Sequence, residues 1–574
     1  MLDSIPTSRD LLADEKTALV KAVQTRDIPL CVGAEVEAIV GTRDVVQGLK
    51  AIPTRQSPRR EGVRSAGLIA SVVLLLSVVS ACSGAGSSDK GSSDTLSIAI
   101  GTEAVPNPAL ATTKAAWLAI SYSLVYAPLI HQTPDGRLEP ALAASWEYID
   151  ESGSDPNSVF QLKLRDGAKF ADGSTVTPDA VAEWLKYFVA QTGPLAGVLG
   201  EDPQFEVVGS DTVTIRMTSP NPSLPAILSD AGGNIAYVVS PKGLADLDSL
   251  GANAHGAGPY VLDNANSVRG DQYTYTPNEN YYDQDAIKFK QVVVKVIPDA
   301  SSRLAAQESG QIDVALGDSS TAKPAKDAGL GVVMSPRGVI ELVLDVKGGL
   351  APELKDKRVR EAINHAIDRK SIAEALLGSA DAAASAFLPT DVDTGLNDYW
   401  TYDPEKAKSL LADAGHADGF TMKALVQGAY FGQLGEPLMR AVAQDLSKVG
   451  INLDITSYAT DPEYGKDVFA NKAPGFAMTG FVADTPTIYR TYLAPTASAN
   501  FFGEDEVLAK QFDAGARAED PTKDWAEMWT RFTTEAYVAP VVVNPTYYYV
   551  SDVIDGVEAT NIRPVSLPTE WSPK

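Results

Sequence analysis

Residues 66–81 form an uncharged apolar run, AGLIASVVLLLSVVSA, and this run divides the chain into two parts. It follows Arg59, Arg60 and Arg64, and it is shorter than the roughly 20 residues that a membrane-spanning helix needs. A basic flank, a short apolar region and small residues at its end are typical of a secretory signal peptide. We therefore predict a signal peptide over residues 58–82. A transmembrane anchor is the alternative, and both interpretations place the rest of the chain outside the membrane.

The end of this run, residues 79–82 (VSAC), resembles the lipobox of bacterial lipoproteins. The resemblance implies cleavage before Cys82 and a diacylglycerol on its thiol, which would anchor the protein at the extracellular face of the cell membrane. Residues 83–94 are rich in Gly and Ser and are predicted to be a flexible tether. Residues 1–57 match no targeting segment. They are interpreted as an N-terminal extension, which is either a misassigned start or a cytoplasmic segment.

Composition limits what the body of the chain can do. The 574 residues are 44% hydrophobic and 21% charged, which is typical of globular domains, and the length corresponds to roughly three to four of them. A net charge of −26 disfavours nucleic acid as a partner, because the phosphate backbone is repelled. Two cysteines cannot form a disulfide framework, and four histidines leave few options for a metal site. We expect no cofactor and no metal.

Short β-rich stretches alternate with helical patterns along the body. Phe160, Leu162 and Leu164 alternate with polar residues, which favours a strand. Helix starts are predicted at Thr177-Pro178 and Asp403-Pro404, where a capping side chain precedes a proline. Residues 356–378 are predicted to be helical from the spacing of their apolar side chains. The mixture predicts an α/β protein with several lobes.

The sequence contains no GxxxxGK[ST], HExxH, GxSxG or CxxC motif, and it contains one weak enzyme motif. Residues 320–323 form an SxxK motif, but Pro324 follows the lysine, and the partner motifs SDN and KTG are missing. Residues 391–395 (DVDTG) have the spacing of a calcium loop without its later ligands, and a turn is the better interpretation. We therefore predict that the protein is not an enzyme, and an extracellular hydrolase that uses Ser320 and Lys323 is the remote alternative.

Five segments together resemble the extracellular solute-binding proteins of family 5, the relatives of oligopeptide-, dipeptide- and nickel-binding proteins of ABC importers. They follow the order of the family's motifs. The segments are 135–147 (DGRLEPALAASWE), 160–181 (FQLKLRDGAKFADG, then VTPDAV from residue 176), 256–260 (GAGPY), 358–369 (RVREAINHAIDR) and 402–415 (YDPEKAKSLLADAG). Most of these residues are interpreted as structural. Gly167 and Gly173, for example, suit turns on either side of an inward-facing Phe170.

The resemblance implies a two-lobed, hinged clamp of the periplasmic-binding-protein type, α/β with mixed sheets and an additional inserted domain. Lobe I would be discontinuous, and lobe II would follow it in the chain. The expected boundaries are 95–131, 258–340 and 545–574 for lobe I, 132–257 for the inserted domain, and 341–544 for lobe II.

The resemblance also suggests which residues contact a ligand. Peptide binders of the family hold the peptide amine with an acidic residue shortly after a Gly-Trp pair. Gly480-Phe481 occupies that place here, which makes Asp484 the candidate. The same relatives place an arginine for the peptide carboxylate in a stretch where this chain has Gln427, Tyr430 and Phe431, so a strict dipeptide site is disfavoured. Trp117 follows the first strand, where relatives face the cleft, although a packing role is an equal alternative.

We therefore expect a monomeric, lipid-anchored substrate-binding protein that delivers a solute to the permease subunits of an ABC importer. Oligopeptides are the first choice of ligand, because an extended backbone can be held by main-chain hydrogen bonds. The alternatives are a nickel chelate, a sugar or another cationic or neutral small molecule, and a sensor that presents its ligand without transport.

Overall fold

The computed structural model describes most of the chain after residue 93. The described residues are 94–102, 107–109, 116–191, 196–253, 255–386, 389, 391–396, 398–427, 434–459, 461–479, 484–495, 497, 500–560, 563 and 566–574. The predicted extension, the signal peptide with Cys82, and the tether up to residue 93 lie outside these residues. None of the described helices is long and apolar enough to cross a membrane.

Eighteen strands are present in the described residues. They are β1 Thr95–Ile100, β2 Ile130–Gln132, β3 Leu138–Pro140, β4 Ala143–Tyr148, β5 Val159–Leu164, β6 Gln204–Val208, β7 Thr212–Arg216, β8 Tyr260–Leu262, β9 Gln272–Pro277, β10 Gln291–Val296, β11 Val314–Gly317, β12 Gly331–Leu344, β13 Phe420–Gln427, β14 Ile451–Tyr458, β15 Gly475–Thr479, β16 Val538–Val550, β17 Ile554–Asp555 and β18 Ser572–Pro573. The alternation that predicts a strand at Phe160–Leu164 is confirmed by β5.

Fourteen α-helices accompany them. They are α1 Ala116–Val125, α2 Pro178–Val189, α3 Leu224–Ile227, α4 Pro241–Leu244, α5 Ala300–Glu308, α6 Ser319–Asp327, α7 Lys357–Ala366, α8 Arg369–Leu377, α9 Pro404–Asp413, α10 Gly435–Ser447, α11 Asp461–Phe469, α12 Thr485–Ile488, α13 Glu506–Arg517 and α14 Thr522–Thr534. A π-helical turn, Tyr489–Leu493, follows α12 directly. Short 3-10 turns occupy Ala196–Leu199, Asn234–Ala236, Leu247–Ser249, Asn264–Asn266, Gln284–Ala286, Pro352–Lys355 and Ala380–Ala382.

Local capping chemistry explains where several helices begin. Thr177 accepts a hydrogen bond from the Ala180 amide ahead of α2, and Asp403 accepts one from the Lys406 amide ahead of α9. Both predicted starts are therefore confirmed. The prediction of one helix over 356–378 is wrong, because α7 ends at Ala366 and Asp368 caps a second helix, α8. A capping aspartate inside an apolar pattern favours a new start over continuation.

A ten-stranded sheet runs through the body in the order β14-β13-β15-β12-β16-β11-β1-β10-β9-β8. The pairs β1–β10, β1–β11, β13–β14 and β13–β15 are parallel, and the other pairs in this sheet are antiparallel. The long neighbouring strands β12 and β16 lie at its centre. The strands from β11 to β8 form one half, which we call lobe I, and the strands from β14 to β15 form the other half, which we call lobe II.

The long strands β12 and β16 are irregular where they pass between the lobes. Their register shifts between Pro336 and Val339 and again between Ile340 and Glu341. Gly338 lies in the first shift with a φ of 134°, which L-residues rarely adopt and glycine adopts at little cost. A strand that changes register at such a point bends there.

The sheet of lobe II buries both faces, and side chains alternate between them along each strand. One face packs on helices α7 to α10 through Leu342, Val426 and Ala477. The opposite face packs on α12 to α14. Its buried residues include Val343, Leu425, Phe476, Ile488, Phe512, Trp529 and Val538. We call this second surface the α12–α14 face.

The inserted domain is built on the antiparallel sheet β4-β5-β7-β6 with α2 against it. Its buried Phe160 and Val213 belong to the same core as Leu96 and Val292 of lobe I. The predicted turn glycines Gly167 and Gly173 both have positive φ, at 73° and 84°, and Phe170 between them is buried. The inserted domain therefore shares its core with lobe I.

Candidate functional site

A row of side chains crosses the sheet of lobe II near the edge where β13 and β15 end. Glu341 of β12 pairs with Met478 of β15, and Gln427 of β13 pairs with Tyr458 of β14. Leu425 pairs with Phe476 in the parallel register of β13 and β15. Continuing this register by two residues places Gln427 beside Met478. These four residues therefore lie side by side across neighbouring strands.

This row lies on the α12–α14 face. Glu341 and Gln427 are each two positions from Val343 and Leu425, which pack on that face, and alternation gives them the same direction. Both side chains are only 2% exposed. Polar groups buried in an otherwise apolar surface at the end of a sheet indicate a functional edge, since burial of such groups costs free energy.

Asp484 begins α12 on the same face. Its carboxylate accepts hydrogen bonds from the Thr487 amide at 3.0 Å and the Thr487 hydroxyl at 2.8 Å. The side chain is buried, with 8% of its surface exposed. The Asp484 carboxylate therefore caps the start of α12.

Asp391 reaches the same helix start from a distant loop. Its two carboxylate oxygens accept from the Thr485 amide and the Thr485 hydroxyl, both at 2.8 Å. The Trp529 indole N–H donates to the same hydroxyl at 2.9 Å. Burial, with the charge of Asp484 as a second cause, raises the pKa of Asp391 to about 7. The two aspartates thus form a crowded acidic pair, in which the charge of one disfavours ionisation of the other.

Arg490 lies next to this acidic pair and reaches the inserted domain. Its guanidinium donates to the carbonyl oxygens of Val198 and Pro220, both at 3.1 Å. Burial lowers the pKa of Arg490 to about 10, while the charge of Asp484 acts in the opposite direction. Arg490 therefore binds the backbone at Val198 and Pro220, and its charge interacts with that of Asp484.

Two further contacts connect the same parts of the molecule. The Asn157 side-chain amide donates to the carbonyl oxygens of Ala516 at 3.2 Å and Ala518 at 3.1 Å. Arg517 forms an ion pair with Asp155. The contacts between lobe II and the inserted domain thus include exposed polar groups, which can separate and re-form at lower cost than a shared apolar core.

The predicted site residues fall into two groups. Asp484 and Gln427 lie on the α12–α14 face, as described above. Tyr430, Phe431 and Phe481 lie outside the described residues, as does the side chain of Trp117, whose backbone belongs to α1. No ligand contact of these six residues is tested by the geometry, so their roles stay predictions.

Three residues of this region are not among the site residues predicted from the sequence. Asp391 belongs to a segment interpreted only as a turn, and Arg490 lies in an unremarkable stretch. Glu341 carries a visible signal, because it is the one charged residue in the apolar run from Val339 to Leu344. A lone carboxylate within a strand of this kind can be found by inspection, whereas the other two depend on contacts between distant segments.

The remaining motifs have structural roles. Ser320 donates to Asp318 at 2.6 Å, and Lys323 pairs with Asp327 at 2.6 Å on the surface of α6. Ser320 and Lys323 of the SxxK motif therefore have different partners, and these contacts do not connect the two side chains. In the turn at 391–395, Asp393 accepts from the Gly395 amide. Across the described part of the chain, no cluster of three or more His, Cys, Asp or Glu side chains could hold a metal ion.

Two lobes joined by a pair of long strands, with polar groups buried at the edge between them, define the class of proteins that close around a solute. A family comparison makes the assignment specific. Residues 137–502 match the model of bacterial extracellular solute-binding proteins, family 5 (middle region). The chain belongs to this family, which confirms the predicted fold class and the prediction of a binding protein rather than an enzyme.

Individual relatives are only distantly similar to this chain in sequence. The nickel-binding periplasmic protein of Escherichia coli K12 is 27% identical over 478 residues, which cover 78% of this chain and 88% of that protein. Heme-binding protein A of Haemophilus influenzae is 27% identical over 351 residues, which cover 56% of this chain and only 62% of that relative. The structure of Haemophilus influenzae OppA in complex with the peptide RPPGFSPFR superposes with a TM-score of 0.66 at 17% identity, covering 84% and 99% of the two chains. This likeness concerns the fold.

Proposed function

We propose that this protein is the substrate-binding component of an ABC importer, and that it captures an amine-bearing solute, with oligopeptides as the first candidate class. The observation that carries the proposal is the acidic pair Asp391 and Asp484 beside Arg490, at the contact between lobe II and the inserted domain. Arg490 supplies one positive charge beside the two carboxylates, and a ligand ammonium group would supply a second and gain charge-assisted hydrogen bonds. Such a site favours ligands that carry a positive charge.

Closure would occur between lobe II and the rest of the body, with the bent part of β12 and β16 as the hinge. The shared core of lobe I and the inserted domain supports their movement as one unit. The proposed boundaries are 95–131, 258–340 and 545–574 for lobe I, 132–257 for the inserted domain, and 341–544 for lobe II. A ligand drives closure only if it binds the closed form better than the open one.

The names of the relatives leave the ligand class open. One relative is named for nickel, one for heme, and one structure holds a nonapeptide. A peptide is supported here by the acidic pair, which can bind an amino terminus, whereas the described residues contain no cluster suited to a bare metal ion. A non-peptide amine or a metal chelate is the second candidate.

Native mass spectrometry of residues 83–574 as purified, followed by denaturation and identification of released molecules, tests this proposal directly. A heterogeneous set of peptides would support an oligopeptide binder and would reveal the preferred length. A single non-peptide species would replace peptides as the ligand class. Loss of solute uptake after gene deletion would favour transport, and unaltered uptake would favour a sensor.

Asp484→Ala is expected to weaken binding of an amine-bearing ligand by about 1.5–3 kcal/mol, because a buried charge-assisted hydrogen bond would be lost. Isothermal titration calorimetry with an identified ligand measures the change. Asp454→Ala, at an exposed position on β14 of the same lobe, is the matched control and should bind normally. Equal affinity of the two variants would move the amine site away from Asp484.

Lipid attachment at Cys82 belongs to the same proposal. Cys82→Ser should release the protein from membranes into the soluble fraction, because a thiol is required for diacylglycerol transfer at a lipobox. Cell fractionation and immunoblotting measure the distribution. Continued membrane association of the variant would instead favour an uncleaved apolar anchor over residues 66–81.

A further inference from the structure

Glu341 is a buried carboxylate, and one of its two oxygens has no hydrogen-bonding partner among the described residues. Its side chain is 2% exposed, and its Oε2 atom makes no hydrogen bond. Burial raises the pKa of this carboxyl to about 8, and no nearby charge contributes to that shift. Ionisation of an unpaired buried acid of this kind costs free energy. If packing were the only role of residue 341, an apolar side chain there would make the protein more stable.

The position of Glu341 explains what such a residue could contact. It lies in the row with Met478 and Gln427, near the end of β15, and Asp484 follows β15 in the sequence. Two strand spacings separate Glu341 from Gln427, which is roughly 10 Å and within the length of a short peptide. Glu341, Gln427 and Asp484 all lie on the α12–α14 face. Glu341 therefore lies on the same face as the proposed amine site, but on a strand rather than at the start of α12.

The register shift supports the same conclusion. Glu341 pairs with Pro540, while the preceding residue, Ile340, pairs with Val542. Val541 is thus the additional residue of a β-bulge directly opposite Glu341. Bulges of this kind redirect side chains and are common beside functional sites.

We propose that Glu341 is a second ligand-binding residue, which accepts a cationic or hydrogen-bond-donating group of the bound solute. This inference rests on the proposed function and deepens it, because it specifies a ligand with a basic group in addition to its amine. For a peptide, the second group is a lysine or arginine side chain. An ion pair with the ligand would then give the buried Oε2 atom of Glu341 a partner.

The test uses a pool of tri-, tetra- and pentapeptides of random sequence. The wild-type protein, Glu341→Gln and the control Asp454→Asn are each incubated with the pool, and captured peptides are identified by mass spectrometry. Wild type and Asp454→Asn should enrich Lys or Arg at one peptide position. The enrichment of Lys or Arg by Glu341→Gln should be at least about tenfold smaller than that by wild type. This variant should still capture peptides with a free amino terminus. Calorimetry with a matched lysine and norleucine peptide pair then measures the preference.

Each alternative outcome has a distinct meaning. Capture of peptides with the same basic enrichment by wild type and Glu341→Gln would overturn the role of Glu341 and leave the peptide-binding function intact. Equal affinity of the wild type for the lysine and norleucine peptides would do the same, and this measurement does not depend on folding of any variant. A wild-type protein that captures no peptide would overturn the proposed ligand class and this inference with it.

Discussion

The contribution of Glu341 to the stability of the wild-type protein should become less favourable as the pH rises from about 5 to 9, and Glu341→Gln should abolish this pH-dependent loss. Burial raises the pKa of Glu341 from 4.5 to about 8. Between these values the folded state holds a proton that the unfolded state has released, so stability decreases with rising pH and levels off above the folded-state pKa. A shift of this size corresponds to roughly 5 kcal/mol.

Chemical denaturation of both proteins at pH 5, 7 and 9 measures this effect. Other titrating groups are common to both proteins, so the difference in free energy of unfolding isolates Glu341. The glutamine variant should gain relative to wild type at each step upward in pH. Asp454→Asn serves as the control, because an exposed carboxylate should produce a difference that hardly changes with pH. Parallel curves for wild type and Glu341→Gln would show that the Glu341 carboxylate is solvated.

The second large effect is expected for Arg563→Met, which should lower the free energy of unfolding by about 3–5 kcal/mol. Arg563 is 2% exposed and forms ion pairs with Glu570 and, at 3.7 Å, with Asp230. Asp230 also accepts from the His131 ring at 2.6 Å and from the Gln132 amide at 2.9 Å. Removal of the guanidinium would leave the nearly buried Asp230 and the half-buried Glu570 without their main counter-ion.

This cluster connects two parts of the molecule that are distant in the sequence. Asp230 lies between α3 and β8, while Arg563 and Glu570 lie between β17 and β18. Burial alone would raise the pKa of Asp230, but Arg563 and the His131 hydrogen bond outweigh it and hold that pKa below its ordinary value. Loss of Arg563 should therefore also weaken the attachment between these two parts.

Thermal and chemical denaturation compare Arg563→Met with Arg216→Met. Arg216 pairs with Glu151 and Glu206 on the exposed side of the inserted domain, and such pairs contribute about 0–1 kcal/mol. Hydrogen exchange should show faster opening around β2 in Arg563→Met alone. A loss no larger than that of Arg216→Met would mean that the apolar core, rather than the ion cluster, holds the inserted domain in place.

Local sequence signals predict local structure well in this chain. Thr177 and Asp403 begin helices as expected, since a capping side chain bonds to an amide only two or three residues away. The signal at 356–378 was incomplete, because apolar periodicity alone does not show that Asp368 interrupts the backbone hydrogen bonds. The order of five motifs along the chain was sufficient to predict the family and its two-lobed fold.

The candidate site is different, because its members meet only through the tertiary structure. Asp391 and Asp484 are 93 positions apart, and they share the start of α12 because their segments pack on the same face of lobe II. Glu341 and Gln427 lie in one row because the sheet register aligns three strands from separate parts of the chain. The sequence by itself determined the family, the helix starts and the lone acid in β12. Burial, register and the pairing of charges, which are properties of the packed chain, decided which of its many carboxylates lie together.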